Sequence, residues 1–296
     1  MRRPDSPEDQ KLLSLHLEKS NALGITGLKD VTPRKDVTAL MYFFWSEDKA
    51  TEKWPEFKGA ILETWRKCGL LKTVIVTNAL WQCLSDFAGF FDNVEIQVEK
   101  RLVPGDIVSM SYDCNTHLHE RFSTDYVLII QNDGFPLRTG LDEFVEAGYD
   151  FIGAPHCRPS FVPSLLTRLL RYCPSNGGFS LRSRRICRLA SKLWESGHFA
   201  SRPYVEDVIA EDYFYTRTLP LSGLRNWLSR SQASSALSDR FSYGATFPLT
   251  VKSLPFGFHT ATAFGALKHK FGFFLAGLLP SLANSMCSNN ACHIPY

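Results

Sequence analysis

Short runs of branched and aromatic residues alternate along this chain with longer stretches whose apolar residues recur every three or four positions. Runs of the first kind read as strands buried on both faces, and the second as amphipathic helices. Residues 37–45 predict a first strand. Residues 54–68 carry Trp54, Phe57, Ile61, Leu62 and Trp65 at helical spacing, with Gly69 suited to the C-cap. Residues 71–76 predict a second strand, and a strand–helix–strand opening predicts a parallel sheet. The same reading gives a helix over 79–91, a strand over 94–98, a helix over 106–122 and a strand from Tyr126. A helix over 141–147, a strand over 149–154 and a helix over 184–194 follow.

The punctuation sets the boundaries. Residues 1–36 are polar and charged, with Leu12, Leu13, Leu15 and Leu17 too irregular for a helix face, and read as an extension. Residues 157–172 carry Pro159 and Pro163 among arginines and read as a loop with a short helix. A serine-rich stretch over 229–238 reads as flexible. The tail, residues 261–296, contains a basic Lys268-His269-Lys270 followed by an apolar run through Leu279. That run is shorter than the roughly 20 residues a membrane-spanning helix needs. It is consistent with a helix docked on the core, and equally with one lying in a membrane interface through residues 268–280.

Composition narrows the class. With 296 residues, 44% hydrophobic and 21% charged, the chain can bury a large core and is globular rather than disordered. A net charge of +3 is compatible with a phosphate-bearing ligand and far from a nucleic-acid footprint. The eight cysteines are scattered without a C-x-x-C, as reduced thiols of a cytosolic protein would be. Cys287, Cys292 and His293 lie close in sequence but lack the second ligand pair of a zinc site. The N-terminus has no secretory apolar core, so the expected location is the cytosol. Phosphate-binding G-x-x-x-x-G-K, dinucleotide-binding G-x-G-x-x-G, and the G-x-S-x-G and H-E-x-x-H motifs are absent.

Four stretches can carry chemistry. The strand from Tyr126 stops at Gln131-Asn132-Asp133-Gly134. This is turn chemistry, but it also sets a carboxylate at a strand end, where open α/β sheets bind ligands. Asn176-Gly177-Gly178-Phe179-Ser180 permits close backbone approach to a docked group, or simply a structural turn before a helix. Glu211-Asp212 precedes an aromatic segment and reads as a helix-capping acid or as a general base. Glu206-Asp207 is a rival for either role. His259, in Pro255-Phe256-Gly257-Phe258-His259, is a metal ligand or a satisfied structural imidazole.

Taken in order, the strand ending in Gln-x-Asp, Tyr149-Asp150-Phe151-Ile152-Gly153-Ala154-Pro155, residues 176–183 (Asn-Gly-Gly-Phe-Ser-Leu-Arg-Ser), Glu211-Asp212 and the segment ending at His259 resemble a known pattern. The pattern is that of a glycosyltransferase-like domain family, formerly a domain of unknown function, within the GT-A class of nucleotide-sugar transferases. The resemblance covers residues 37–260. It implies a single-domain α/β/α sandwich around a mixed, mostly parallel sheet, with a nucleotide-binding half and an acceptor half. It also implies a nucleotide-sugar donor and a glycan or lipid-linked acceptor.

Residue by residue, the resemblance sets Asp133 and His259 as ligands of Mn²⁺ or Mg²⁺, and Asp212 as the catalytic base with Glu211 as the near alternative. Gln131, Asn132, Asn176, Gly177, Gly178 and Arg182 would line the donor or acceptor. Gln131 departs from the pattern, because it stands where the class usually has a first carboxylate. Two other readings remain open at this stage. A glycoside hydrolase would use Asp133 and Asp212 as its carboxylate pair. A non-catalytic sugar- or nucleotide-binding module would need no base at all.

Overall fold

A computed structural model of the chain describes residues 33–136, 139–146, 148, 150–155, 175–196, 211, 214 and 215. Six strands form one sheet in the order β3-β2-β1-β4-β6-β5. They are β1 (Val37–Phe43), β2 (Thr73–Thr77), β3 (Val94–Val98), β4 (Tyr126–Ile129), β5 (Phe151–Pro155) and β6 (Ser175–Ser183). β1 pairs in parallel with β2 and β4, and β2 with β3, while β6 runs antiparallel to both β4 and β5. The sheet is therefore mixed and mostly parallel, as the resemblance implies; the strand–helix alternation predicts its parallel part and not the antiparallel β6.

Helices cover both faces, which is why the central strands are apolar throughout. Every residue of β1 and β2 is buried. Alternate residues of β1 serve opposite layers. Val37, Ala39, Met41 and Phe43 pack with Trp54, Phe57, Ile61 and Trp65 of α1 (Glu47–Cys68) and with Leu84 and Phe87 of α2 (Gln82–Phe90). Leu40 and Tyr42 pack on the other side with Met110 and Cys114 of α3 (Ile107–Thr116), and with Ile186 and Ala190 of α5 (Arg184–Glu195). A short α4 (Leu141–Glu146) contributes Leu141 and Phe144 to the first layer. Each large side chain so buried stabilises the fold by about 2 kcal/mol relative to exposure. The result is an α/β/α sandwich.

Several boundaries differ from expectation, each for a physical reason. α1 begins seven residues before Trp54, because its exposed first turns carry Glu47 and Asp48, which favour a helix N-terminus without an apolar stripe. Gly69 closes it as predicted, at φ 61° with its N–H donating to the Trp65 carbonyl. The helix expected over 106–122 ends at Thr116, and a 3₁₀ turn, Leu118–Glu120, follows. The most consequential difference concerns Asn176-Gly177-Gly178. These residues form no turn before a helix; they lie on strand β6.

Candidate active site

The registers bring one end of every strand to the same edge of the sheet. β1 to β4 present their carboxyl ends there. Ile129 pairs with Ser180 and Pro155 with Ser175, so the carboxyl end of β5 and the amino end of β6 join them. The chain reverses its direction of travel across the sheet between β1 and β4, and such switch points are where open α/β sheets form a ligand crevice.

On the β4 side of this switch point, residues 131–134 make a tight turn. Gln131 N–H donates to the Gly134 carbonyl at 2.9 Å and Gly134 N–H to the Gln131 carbonyl at 3.1 Å. Asn132 and Asp133 occupy the tip, half-buried. The Asn132 amide nitrogen donates to Glu56 Oε2 on α1 at 2.9 Å, so the turn is tied to the helix beside it. Sequence reading missed Glu56, whose partner lies 76 residues away.

On the β1 side, the half-buried Phe44 and Trp45 rings lie nearly parallel, with centroids 6.4 Å apart. Asn78, just past β2, donates from its amide to the Trp45 carbonyl at 3.1 Å. The loop after β3 joins in through Gly105 N–H, which donates to the Phe44 carbonyl at 2.7 Å. Three loops are thus bonded together beside the switch point, with two aromatic faces among them. Their only sequence signal was aromatic residues at the end of a strand.

The β6 side is built around a bulge. Gly153 pairs with Ser180, but Ala154 pairs with Asn176, so residues 177–179 are displaced from the β5–β6 register. The Gly177 carbonyl turns to accept from Ser180 Oγ at 2.7 Å and from Arg182 Nη2 at 3.3 Å. Arg182 is fully buried, and its Nη2 donates to Glu211 Oε2 at 2.6 Å. Its guanidinium lies 4.5 Å from the centre of the Tyr215 ring and 5.3 Å from that of Phe151. Burial is the largest single influence and works against the guanidinium's charge, but the Glu211 carboxylate together with Cys114, Tyr215 and Cys187 outweighs it and holds the group protonated beyond its ordinary range.

Of the residues singled out in the sequence, Gln131, Asn132 and Asp133 share the turn, and Gly177 and Gly178 sit on the bulge at the same edge. Asn176 lies on β6. Arg182 and Glu211 are brought together, in contact with each other and away from solvent. This differs from the expected donor or acceptor contact for Arg182, because a side chain on this face of β6 points into the layer between sheet and helices. Asp212, His259 and Glu206-Asp207 lie outside the described residues, as do the tail and its apolar run. Among the described residues no three His, Cys, Asp or Glu side chains cluster as a metal site. The oxygen donors at the β4 turn, a carboxylate from Asp133 and neighbouring amides, suit a hard divalent cation rather than zinc. No helix among the described residues is long and apolar enough to cross a membrane.

A comparison with curated protein sequences finds no match. Among solved structures, the glycosyltransferase GlyE of Streptococcus pneumoniae TIGR4 is similar at 10% identity and a TM-score of 0.44, over 76% of this chain and 54% of that one. The mannosyltransferase PcManGT of Pyrobaculum calidifontis, solved with GDP-Man and Mn²⁺, is similar at 14% identity and a TM-score of 0.36, over 73% and 61%. Core-mannan synthase A of Aspergillus fumigatus, in its Mn/GDP form, is similar at 8% identity and a TM-score of 0.40, over 65% and 71%. The chain spans about half the length of the first and less than two thirds of the second. The family model described as "Protein of unknown function (DUF5672)" matches residues 107–259, just over half of the chain. The chain belongs to that family.

Proposed function

We propose that the protein is a glycosyltransferase, moving a sugar from a nucleotide-sugar donor to a hydroxyl of a glycan or lipid-linked acceptor with inversion. One observation carries this reading. The Gln131–Gly134 turn and the Gly177-Gly178 bulge lie at the same edge of the sheet, beside a topological switch point. Glu211 is held against that bulge, and Asp212 follows it directly.

In this reading the donor lies across the switch point. The Phe44 and Trp45 side offers apolar faces to a base, and the β4 turn faces the diphosphate. Asp133 and His259 would hold Mn²⁺ or Mg²⁺, with water and the donor's oxygens completing the shell. When bound, the cation supplies Lewis-acid stabilisation of the departing diphosphate. Asp212 takes the proton from the acceptor hydroxyl as its oxygen bonds to the anomeric carbon; the bond to the diphosphate oxygen breaks and the nucleotide leaves. The two carboxylates divide the work: Asp133 serves the donor, and Asp212 accepts the proton.

Titration calorimetry with UDP, GDP, CMP and dTDP, each with and without Mn²⁺, tests the donor site. The reading expects one nucleotide to bind with Mn²⁺ present and markedly more weakly without it. A glycoside hydrolase has no need of such a site, so the absence of heat with all four nucleotides would contradict the transferase.

A further inference from the structure

Glu211 is anchored against the bulge by contacts that leave no room for a side chain at position 177. A Cβ on Gly177 would stand 1.9 Å from Glu211 Oε1 and 2.3 Å from Oε2. The carboxylate cannot step aside freely, because its Oε2 accepts from the fully buried Arg182. Arg182 is fixed in turn by Ser180 Oγ at 3.0 Å and by the Gly177 carbonyl. A charge pair taken out of water depends on such hydrogen bonds, and Arg182 Nη1 is a buried atom without a partner among the described residues, so the pair leans on the contacts just named.

The same segment is held at further points. Glu211 N–H donates to Ser111 Oγ on α3 at 3.4 Å. Phe214 and Tyr215 are fully buried; the Tyr215 hydroxyl donates to the Cys114 carbonyl at 3.0 Å, and Phe214 packs edge-on against Trp194 of α5. Glu211, Phe214 and Tyr215 are therefore each held by the fold.

We infer that Gly177, Arg182 and Glu211 form a latch that fixes the chain at Glu211, the residue next in sequence to the proposed base Asp212. Arg182 and Glu211 act on the reaction through the base and not by touching substrate. The assignment of Asp212 as base rests on the transferase reading above; the latch itself does not. Gly177 is required because the latch needs the space a methyl group would take.

The test is a suppressor pair, Gly177→Ala and Gly177→Ala/Glu211→Asp, assayed as full-length protein on whichever donor the wild type turns over. Gly177→Ala displaces the carboxylate, and kcat is expected to fall about a hundredfold, the cost of misplacing a reacting group by about 1 Å. The donor KM and the Kd for nucleotide with Mn²⁺ should stay within about twofold, since the β4 turn is untouched. Shortening the acid by one methylene, about 1.5 Å, makes room for the new methyl group, and the double variant should recover at least about tenfold in kcat. Unchanged kcat in Gly177→Ala, or no recovery in the double variant, overturns the latch. Should Gly177→Ala not fold, Arg182→Lys replaces it, with the same expected fall in kcat; wild-type kcat there overturns the latch as well. If the wild type turns over no donor, the transferase reading fails by itself. Amide exchange in the peptide carrying Glu211, Phe214 and Tyr215 then reads the latch. Exchange at least about tenfold faster in Gly177→Ala than in the wild type supports it, and equal exchange overturns it.

Discussion

Asn132, at the tip of the turn after β4, donates its amide to Glu56 Oε2 on α1 across 2.9 Å. The bond spans 76 residues and ties the proposed metal-bearing turn to the helix beside it. Asp133 sits beside Asn132, so the bond limits where that carboxylate lies. Groups that orient metal ligands typically contribute ten- to a hundredfold to affinity. Asn132→Ala and Glu56→Gln are therefore predicted to weaken Mn²⁺-dependent nucleotide binding about tenfold, with little change in melting temperature because both side chains are half-exposed. Unchanged affinity by calorimetry would mean that the turn holds itself.

A second prediction concerns the buried network on the α3 face. The Tyr42 hydroxyl on β1 donates to Asp113 Oδ2 at 2.7 Å, and Arg121 grips the same carboxylate while also donating to Glu99 Oε2 at 2.7 Å. Burial, with the nearby Cys114 and Asp113, pushes the Tyr42 phenol well above its ordinary range, so it remains a donor at any working pH. Tyr42→Phe should destabilise the protein by about 2 kcal/mol, the worth of a hydrogen bond to a charged acceptor. Arg121→Met should cost more, about 3–5 kcal/mol, since it strands a carboxylate that is 2% exposed. Urea denaturation reads both, and the reverse order would refute this account of the network.

The acid side of the stability profile follows from Glu99. Hydrogen bonds from Arg101 and, against some burial, from Arg121 hold its carboxyl far below the usual carboxylate range. A depressed carboxyl stabilises the fold fully above its unfolded value of about 4.3, and that stability drains as the pH falls toward the folded value. Glu99→Gln removes the titration. Its unfolding free energy should be lower than the wild type's at pH 7, and should decline less steeply between about pH 4 and pH 2. Parallel slopes would show that other groups dominate.

Thiol reactivity gives a fourth outcome. Cys68, Cys114 and Cys187 are buried, and burial raises all three thiols, that of Cys187 to about 12. Cys83 is only half-buried. In native protein at pH 8, an aromatic disulfide reagent followed by peptide mass mapping should label Cys83 well ahead of the other three. Equal labelling of Cys114 or Cys187 would mean that the α3–α5 layer opens readily.

Local signals account for most of what was readable before the structure. The strand over 94–98 and the cap at Gly69 are written in a few adjacent residues, and both stand as predicted. The onset of α1 was not readable, because an exposed polar turn carries no periodicity. The role of Gly177 was equally hidden. A glycine pair looks the same as a turn or as a bulge, and what decides between them here is a carboxylate 34 positions further on. Arg182 read as ligand-facing, whereas its partner is 29 residues away. Such pairings depend on strand register, which no local pattern specifies.

The most direct test of the transferase account is a donor screen. It measures nucleotide released from UDP-, GDP-, CMP- and dTDP-sugars by the wild type and by Asp212→Asn, with and without Mn²⁺. The account predicts that one donor is turned over, that Mn²⁺ stimulates it, and that Asp212→Asn lowers the rate by about a hundred- to ten-thousandfold, the usual share of a general base. Failure of every donor to turn over in the presence of Mn²⁺, or undiminished turnover by Asp212→Asn, would contradict it.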